Sequence, residues 1–393
     1  MWLFPYQKDI SMVQKNYCRK EELWNLFRKE VEQVMEPMAF SFQLNGRPVL
    51  CSRYGSGHIN TTFLLETDLG TRYILQKVNQ QVFRNVPALI NNIQAVTDHL
   101  WKKNPDARRV LRLVPTKAGQ SYALDEQGEY WRVYVFIEDS ICLDKAETAE
   151  EIYESGVAFG QFLNLLADFP AGNLAQTIPG FHDTTSRYLR FHEVLHDDPH
   201  SRAREARPEI DFLLKREDDA GAMVRMLTCG QLPLRVTHND AKLNNVLLDK
   251  ATGKPLCVVD LDTVMPGLCG NDFGDSIRFG ASTAQEDERD LKRVSLSLPL
   301  FEMYTRGFLT ACGESLTPLE LETLPLAAKL MTLECGLRFL TDYLEGDVYF
   351  RTHRPGHNLD RCRTQLHLVA DMERKFHEMQ NIVSRESSRV VPY

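Results

Sequence analysis

The sequence predicts an α+β fold of two lobes, a small antiparallel β lobe followed by a larger, mainly helical lobe that carries one β-hairpin. Three observations predict it. At 393 residues the chain exceeds the roughly 250–300 residues at which a single hydrophobic core stops growing. From about residue 40 to 140 apolar residues alternate in short runs broken by Gly-containing turns, which is the strand period. After Asp139 the apolar spacing changes to three and four residues, the helix period.

The elements follow in order. Residues 20–36, KEELWNLFRKEVEQVME, place Leu23, Leu26, Phe27, Val31 and Val34 at helical spacing, and Pro37 ends the pattern, so residues 1–39 are expected to form a helical extension. Strands are expected at SFQLNGRPVLCSRY, at TTFLLET and RYILQKV with a turn over Asp68–Thr71 between them, and at QSYALDEQGEYWRVYVFIED with a turn at Glu126-Gln127-Gly128. One helix interrupts them at about 86–103, so residues 40–140 are expected to form the β-rich lobe and 141–393 the helical one. In the latter, Thr148 and Glu151 form a capping box ahead of Ile152, Phe159, Phe162, Leu163 and Leu166. Leu326, Leu330, Leu333, Leu337, Leu340 and Leu344 draw a buried stripe on a long helix.

Composition narrows the function. A net charge of −8 with dispersed basic residues lacks the electrostatic footprint of a nucleic-acid binder. The nine cysteines are odd in number and form no C-x-x-C pair, a pattern of reduced thiols in a cytoplasmic protein. No signal-peptide pattern and no apolar run of 18 residues is present, so no membrane partner is expected.

Chemistry concentrates in four stretches. In YGSGHIN, Gly55 and Gly57 would allow backbone N–H groups to close over a phosphate, although a plain Gly-rich hairpin turn reads the same way. Lys77, ending ILQKV on the third strand, is placed as a lysine that pairs nucleotide phosphates would be. VTHNDAKLNNVLLD is the most specific: His238-x-Asp240-x-Lys242-x-x-Asn245 matches the loop H-x-D-x-x-x-x-N. Phosphoryl transfer needs a carboxylate to take or orient the attacking hydroxyl's proton, a role for Asp240, and oxygen ligands for Mg²⁺, a role for Asn245; Lys242 could neutralise the transferring group.

The fourth stretch, VVDLDTVMPGLCGNDFGD, contains the literal triplet Asp272-Phe273-Gly274. A hairpin of NVLLD and PLCVVD about a turn near residue 252 places Asn245 opposite Val259 or Asp260, delivering two oxygen ligands to one point. Asp260 is therefore the expected metal ligand, with Asp262 a second if the strand continues. Asp272 lies beyond Pro266-Gly267, off the hairpin; it and Asp275 read either as helix N-caps or as a brace for the loop, in a supporting turn that leads to Phe279.

Together these residues resemble the aminoglycoside phosphotransferase and choline kinase superfamily, whose two-lobed fold is protein-kinase-like. GSGHINTTF, ILQKVNQQVF, THNDAKLNNVLLD and VVDLDTVMPG with DFGDSIRFGA are similar, in order, to N-acetylhexosamine 1-kinases over most of residues 50–350. The resemblance implies ATP- and Mg²⁺-dependent phosphorylation of the anomeric hydroxyl of N-acetylglucosamine or N-acetylgalactosamine. It implies sugar contacts from His58, Asp240 as base, Phe279, Arg338 and Tyr349. Each has another reading: Arg338 stands four residues from both Glu334 and Asp342 and could be ion-paired, Phe279 could be core, and Tyr349 could be a packed loop residue. His353 and His357 have H-x-x-x-H spacing in an arginine-rich segment, which reads as a zinc site, a basic rim near the phosphates or a solvated loop. Kinases of choline, homoserine, inositol or another sugar share the machinery, as would a binding protein that had lost catalysis. A protein kinase would need an A-P-E motif, which is missing.

Overall fold

The computed structural model describes residues 38–55 and 59–390. The expected helix at 20–36, and Gly57 and His58 of the Gly-rich loop, lie outside the described residues. Two compact units result, one of residues up to Val86 with Arg112–Phe136, the other of Pro87–Leu111 with Ile137 onward.

The first unit is a sheet of β1 (Pro48–Arg53), β2 (Thr61–Thr67), β3 (Arg72–Lys77), β4 (Leu113–Val114), β5 (Ala123–Leu124) and β6 (Tyr130–Val135) in the order β1-β2-β3-β6-β4, with β5 also on β6. All pairs are antiparallel, as alternation with short loops requires. The turns close where expected. Gly70 and Gly128 both have positive φ, the first accepted between Thr67 and Thr71, the second beneath the Asp125 to Glu129 bond. Alternate strand residues Leu65, Leu75 and Val133 are fully buried with Phe42, Tyr73 and Trp131.

The second unit begins with α1 (Val86–Lys103) and β7 (Ser140–Cys142), then α2 (Ala149–Leu165), α3 (Thr184–Asp197), α4 (Arg207–Leu214), α5 (Glu217–Ala220) and α6 (Ala222–Thr228). Four short strands follow, β8 (Arg235–Thr237), β9 (Val246–Asp249), β10 (Pro255–Val258) and β11 (Met265–Gly267). The chain closes with α7 (Cys269–Gly280), α8 (Leu298–Cys312), α9 (Pro318–Glu345), α10 (His357–Arg374) and α11 (Phe376–Val390). β10-β9-β7 form one antiparallel sheet and β11-β8 a second. α1, expected within a 40–140 lobe, clusters with this unit because Asn92 is bonded there: its Nδ2 donates to the carbonyls of Ala175 (2.7 Å) and Val264 (3.1 Å), and its Oδ1 accepts from Ala175 N–H. The eight described cysteines are free thiols, and no described helix is long and apolar enough to cross a membrane.

Local signals start the helices and packing completes them. α2 begins on the Thr148–Glu151 capping box, and α9 on a second one, Thr317 with Glu320. The leucine stripe of α9 is buried from Leu330 to Leu344 against α3, α4 and α10. α2 and α8 pack so closely that a Cβ on Gly307 would lie 2.1 Å from the Tyr153 carbonyl oxygen, and one on Gly156 2.5 Å from that of Tyr304. Backbone atoms cannot move aside, so Gly307→Ala is expected to destabilise the protein by about 2–3 kcal/mol in urea unfolding, whereas Gly172→Ala, which meets open space, should change it by less than about 0.5 kcal/mol.

Candidate active site

β8 leads directly into the loop His238–Lys242, and almost every polar backbone group of that loop is bonded. The Asp272 carboxylate accepts the N–H groups of His238 (2.8 Å) and Asn239 (2.7 Å). Asp240 N–H donates to His238 Nδ1 (3.3 Å), and His238 Nε2–H donates to the Val259 carbonyl (2.9 Å), which assigns the ring's tautomer. The carbonyls are covered in turn by Thr263 Oγ1 on His238, Asn245 Nδ2 on Asp240 (2.8 Å) and Ser276 Oγ on Ala241 (2.6 Å). Asn239 takes a left-handed conformation, φ 62°, and its buried amide locks Thr237, Thr263 and Met265. Gly267 is required opposite, since a Cβ there would lie 2.2 Å from Thr237 Oγ1.

This loop presents Asp240 with its side chain 30% exposed and Lys242 Nζ 2.5 Å from Oδ1. Burial would raise the Asp240 carboxyl, but the charge and hydrogen bond of Lys242, with His238 and Arg278, hold it down at about 2. Burial would lower Lys242, and Asp240 and Asp275 instead raise it. The carboxylate is thus an anion across the physiological range, with its second oxygen 3.2 Å from Asn245 Nδ2.

The hairpin closes as the sequence requires. Val258 pairs Val246, and Val259 N–H donates to the Asn245 carbonyl (2.9 Å), so Asn245 and Asp260 share its open end. The strand does not continue. β10 ends at Val258, Asp260 turns the chain with φ 60°, and Leu261–Thr263 form a 3₁₀ turn. Period two therefore fails beyond the strand: Asp260 is exposed, while Asp262 is 3% exposed with its carbonyl accepting from Thr177. The donor set fits a hard divalent cation: Asp260 is an exposed carboxylate, and Asn245 uses its amide nitrogen on Asp240, which leaves its Oδ1 as an oxygen donor.

The DFG triplet has a structural role at each position, and it lies within α7 rather than in a turn or at an N-cap, which is Leu268. Asp272 braces the loop; burial pushes its carboxyl up, against the pull of His238 and the two N–H donors. Phe273 is fully buried against Phe301, Tyr304 and Phe308. At Gly274 a Cβ would lie 2.6 Å from the Ala327 carbonyl of α9. Asp275 pairs Arg278, which also holds Glu286 (2.7 Å).

Arg338, on α9, has no hydrogen bond or ion pair among the described residues. Its guanidinium carbon lies 5.3 Å from the Phe181 ring, 5.4 Å from Phe350 and 5.9 Å from Tyr349. The alternative ion pairs are spent elsewhere. Glu334 accepts from His182 (2.8 Å) and Thr184 (2.6 Å) and lies 3.5 Å from Arg187, while Asp342 accepts from the N–H groups of Val348, Tyr349 and Phe350 and from Asn358. Burial lowers Arg187 to about 10, with the Arg338 charge adding to it. Tyr349 is 56% exposed, and Phe279 is half-buried in the last turn of α7. His357 is engaged at both ring nitrogens, by His353 N–H and by Asp287, which leaves no imidazole lone pair for zinc. In the first unit Gly55 has φ 75°, and Lys77 Nζ is held by Glu129 at 3.1 Å.

Phe181, His182, Arg187 and Phe350 were not singled out in the sequence. One signal existed: Glu334 interrupts the apolar stripe of α9 one turn after Leu330, and a carboxylate on a buried face demands a partner.

An antiparallel sheet unit joined to a helical unit with this loop and hairpin is a protein-kinase-like fold. The sequence profile of the phosphotransferase enzyme family (APH) matches residues 51–301, and the chain belongs to that family. Among solved structures it is similar to an amicoumacin kinase in complex with AMP-PNP, Ca²⁺ and Ami, at 14% identity over 86% of this chain and 92% of that one, TM-score 0.59. A microcompartment-associated aminopropanol kinase (14%, 90% and 98%, TM-score 0.56) and the choline kinase of Cryptosporidium parvum Iowa II (13%, 85% and 91%, TM-score 0.54) share the fold.

Two outcomes follow from the loop. Asp272→Ala strips a buried acceptor from two N–H groups and should cost about 3 kcal/mol or more in denaturant unfolding. Lys242→Met removes the charge that opposes burial at Asp240, so the Asp240 carboxyl should rise and the acid limb of kcat/KM should move to higher pH; an unchanged profile would separate Asp240 from that limb.

Proposed function

We propose that this protein is an ATP- and Mg²⁺-dependent kinase that phosphorylates the anomeric C1 hydroxyl of an N-acetylhexosamine. The observation that carries the choice of acceptor is the charge around Asp240. Lys242 and Arg278 are paired with Asp240 and with Asp275 and Glu286, and the carboxylates Glu334 and Asp342 are consumed by internal partners, so Arg338, which also acts electrostatically on Asp240, is the charge left with unused donors. Such surroundings oppose a cationic acceptor such as choline and favour a neutral one with oxygen acceptors and an apolar ring face. Arg338, with unused donors and aromatic neighbours, suits the sugar, along with His58, Phe279 and Tyr349.

The residues act as follows. Asp240 orients the acceptor hydroxyl and takes its proton as the oxygen attacks, held in place by Lys242 and Asn245. Lys242 offsets negative charge beside the reacting oxygen. Asn245 Oδ1 and Asp260 would hold the cation, with the buried Asp262 the lesser candidate. Gly55, Gly57 and Lys77 are assigned to nucleotide phosphates. Mg²⁺ with ATP supplies the phosphoryl group and neutralises charge on it when bound.

ADP release measured over N-acetylglucosamine, N-acetylgalactosamine, other sugars, inositol, homoserine and choline, with Mg²⁺, tests the reading. Turnover should be confined to the N-acetylhexosamines; preference for choline or homoserine, or nucleotide binding with no turnover at all, rejects it. Asp240→Asn should lower kcat by about 10³-fold or more with the KM for ATP within about threefold, since a base acts in the transition state. Asp260→Ala should raise the Mg²⁺ concentration for half-maximal activity at least about tenfold, which Asp262→Ala should do far less.

A further inference from the structure

Asn239, immediately before Asp240, has a buried carbonyl that no other backbone group of the loop reaches. His182 covers it, with Nε2 at 2.9 Å. The same ring puts Nδ1 2.8 Å from Glu334 Oε1 on α9, and both side chains are almost excluded from solvent, at 8% and 2% exposure. Glu334 precedes Arg338 by four residues, one helical turn, and its other oxygen is fixed by Thr184 at the start of α3. Phe181, whose ring faces the Arg338 guanidinium, is the neighbour of His182 and lies 4.6 Å from the imidazole.

We infer that His182 is a positioning residue that holds the Asp240 loop in register with the Arg338 turn of α9. The chain Asp240–Asn239 carbonyl–His182–Glu334 connects the candidate base, through two hydrogen bonds and then one turn of α9, to the candidate acceptor arginine Arg338. Its middle links, from the Asn239 carbonyl through His182 to Glu334, are shielded from solvent, and both ring nitrogens face acceptor oxygens, so the two bonds hold together when each nitrogen carries a hydrogen. The left-handed Asn239 makes the tie sensitive, because that backbone is costly for a side-chain-bearing residue and persists only when its surroundings hold it. Loss of the imidazole leaves the Asn239 carbonyl and Glu334 each short of a partner, and lets the loop relax relative to α9. His182 touches neither acceptor nor nucleotide in this role. It acts through the placement of Asp240.

The activity consequence rests on the kinase reading above; the structural tie does not, and the test separates them. Hydrogen exchange of ligand-free His182→Ala, compared with the natural protein, should accelerate in peptides covering residues 237–243 and 330–338 and leave β2–β3 unchanged. Exchange in 237–243 equal to that of the natural protein overturns the tie whatever the substrate. Should His182→Ala exchange throughout and so fail to fold, His182→Asn, which keeps a polar group, carries the same comparison with the same two outcomes. In turnover assays with the acceptor found active, kcat should fall at least about 30-fold with the KM for ATP within about twofold, and added imidazole should restore at least about tenfold in His182→Gly. Combining His182→Ala with Arg338→Ala should cost less than the product of the two single losses; a fully multiplicative loss, or kcat within threefold for His182→Ala, overturns the positioning role. Altered exchange in a protein that turns over no acceptor retains the tie and rejects only the kinase reading.

Discussion

The structure of the candidate site depends on one buried carboxylate, Asp272, which takes the two N–H groups that begin the loop of Asp240. An isolated buried anion is costly, and here the cost is offset by charge-assisted bonds to backbone donors that would otherwise themselves lie unpaired. Because Asp272 sits in the first turns of α7, the loop inherits that helix's position. α7 in turn is fixed by Phe273 in the core and by Gly274 against α9. The loop can be rigid without being helix or strand.

The same logic recurs around it. Charges that burial would neutralise are each given a partner: Lys242 with Asp240, Arg278 with Asp275 and Glu286, Glu334 with His182 and Thr184. Arg338 departs from this pattern. It is surrounded by ring faces, which tolerate a cation without consuming its N–H donors. A site built this way is preorganised, since its groups are held by bonds that do not involve a ligand.

Much of this was legible in the residues. Turn chemistry located the hairpins at Gly70 and Gly128, capping chemistry started α2, and leucine spacing drew α9. The count from Asn245 across the hairpin left it opposite Val259 or Asp260, and the structure pairs it with Val259, after a register shift between Pro255 and Cys257 that the count alone does not show. The same count failed one residue later. Asp260 enters a left-handed conformation that ends the strand, and period two then says nothing about Asp262. The Asp272 brace was one of two readings open in the sequence, and α1 was expected with the sheet because sequence adjacency carries no information about Asn92 and its distant carbonyls.

By itself the sequence determined the order of strands and helices, the loop that carries Asp240, Lys242 and Asn245, and the hairpin that brings Asn245 near Asp260. These are local: they follow from spacing, turn residues and ladder geometry within some twenty residues. Only the tertiary structure decided that Asp272 clamps the loop, that Gly156 and Gly307 exist for a helix contact, and that His182 and Glu334 meet under Asn239. Those pairings join residues 33 to 154 positions apart, where chain chemistry sets no distance and packing alone selects the partner.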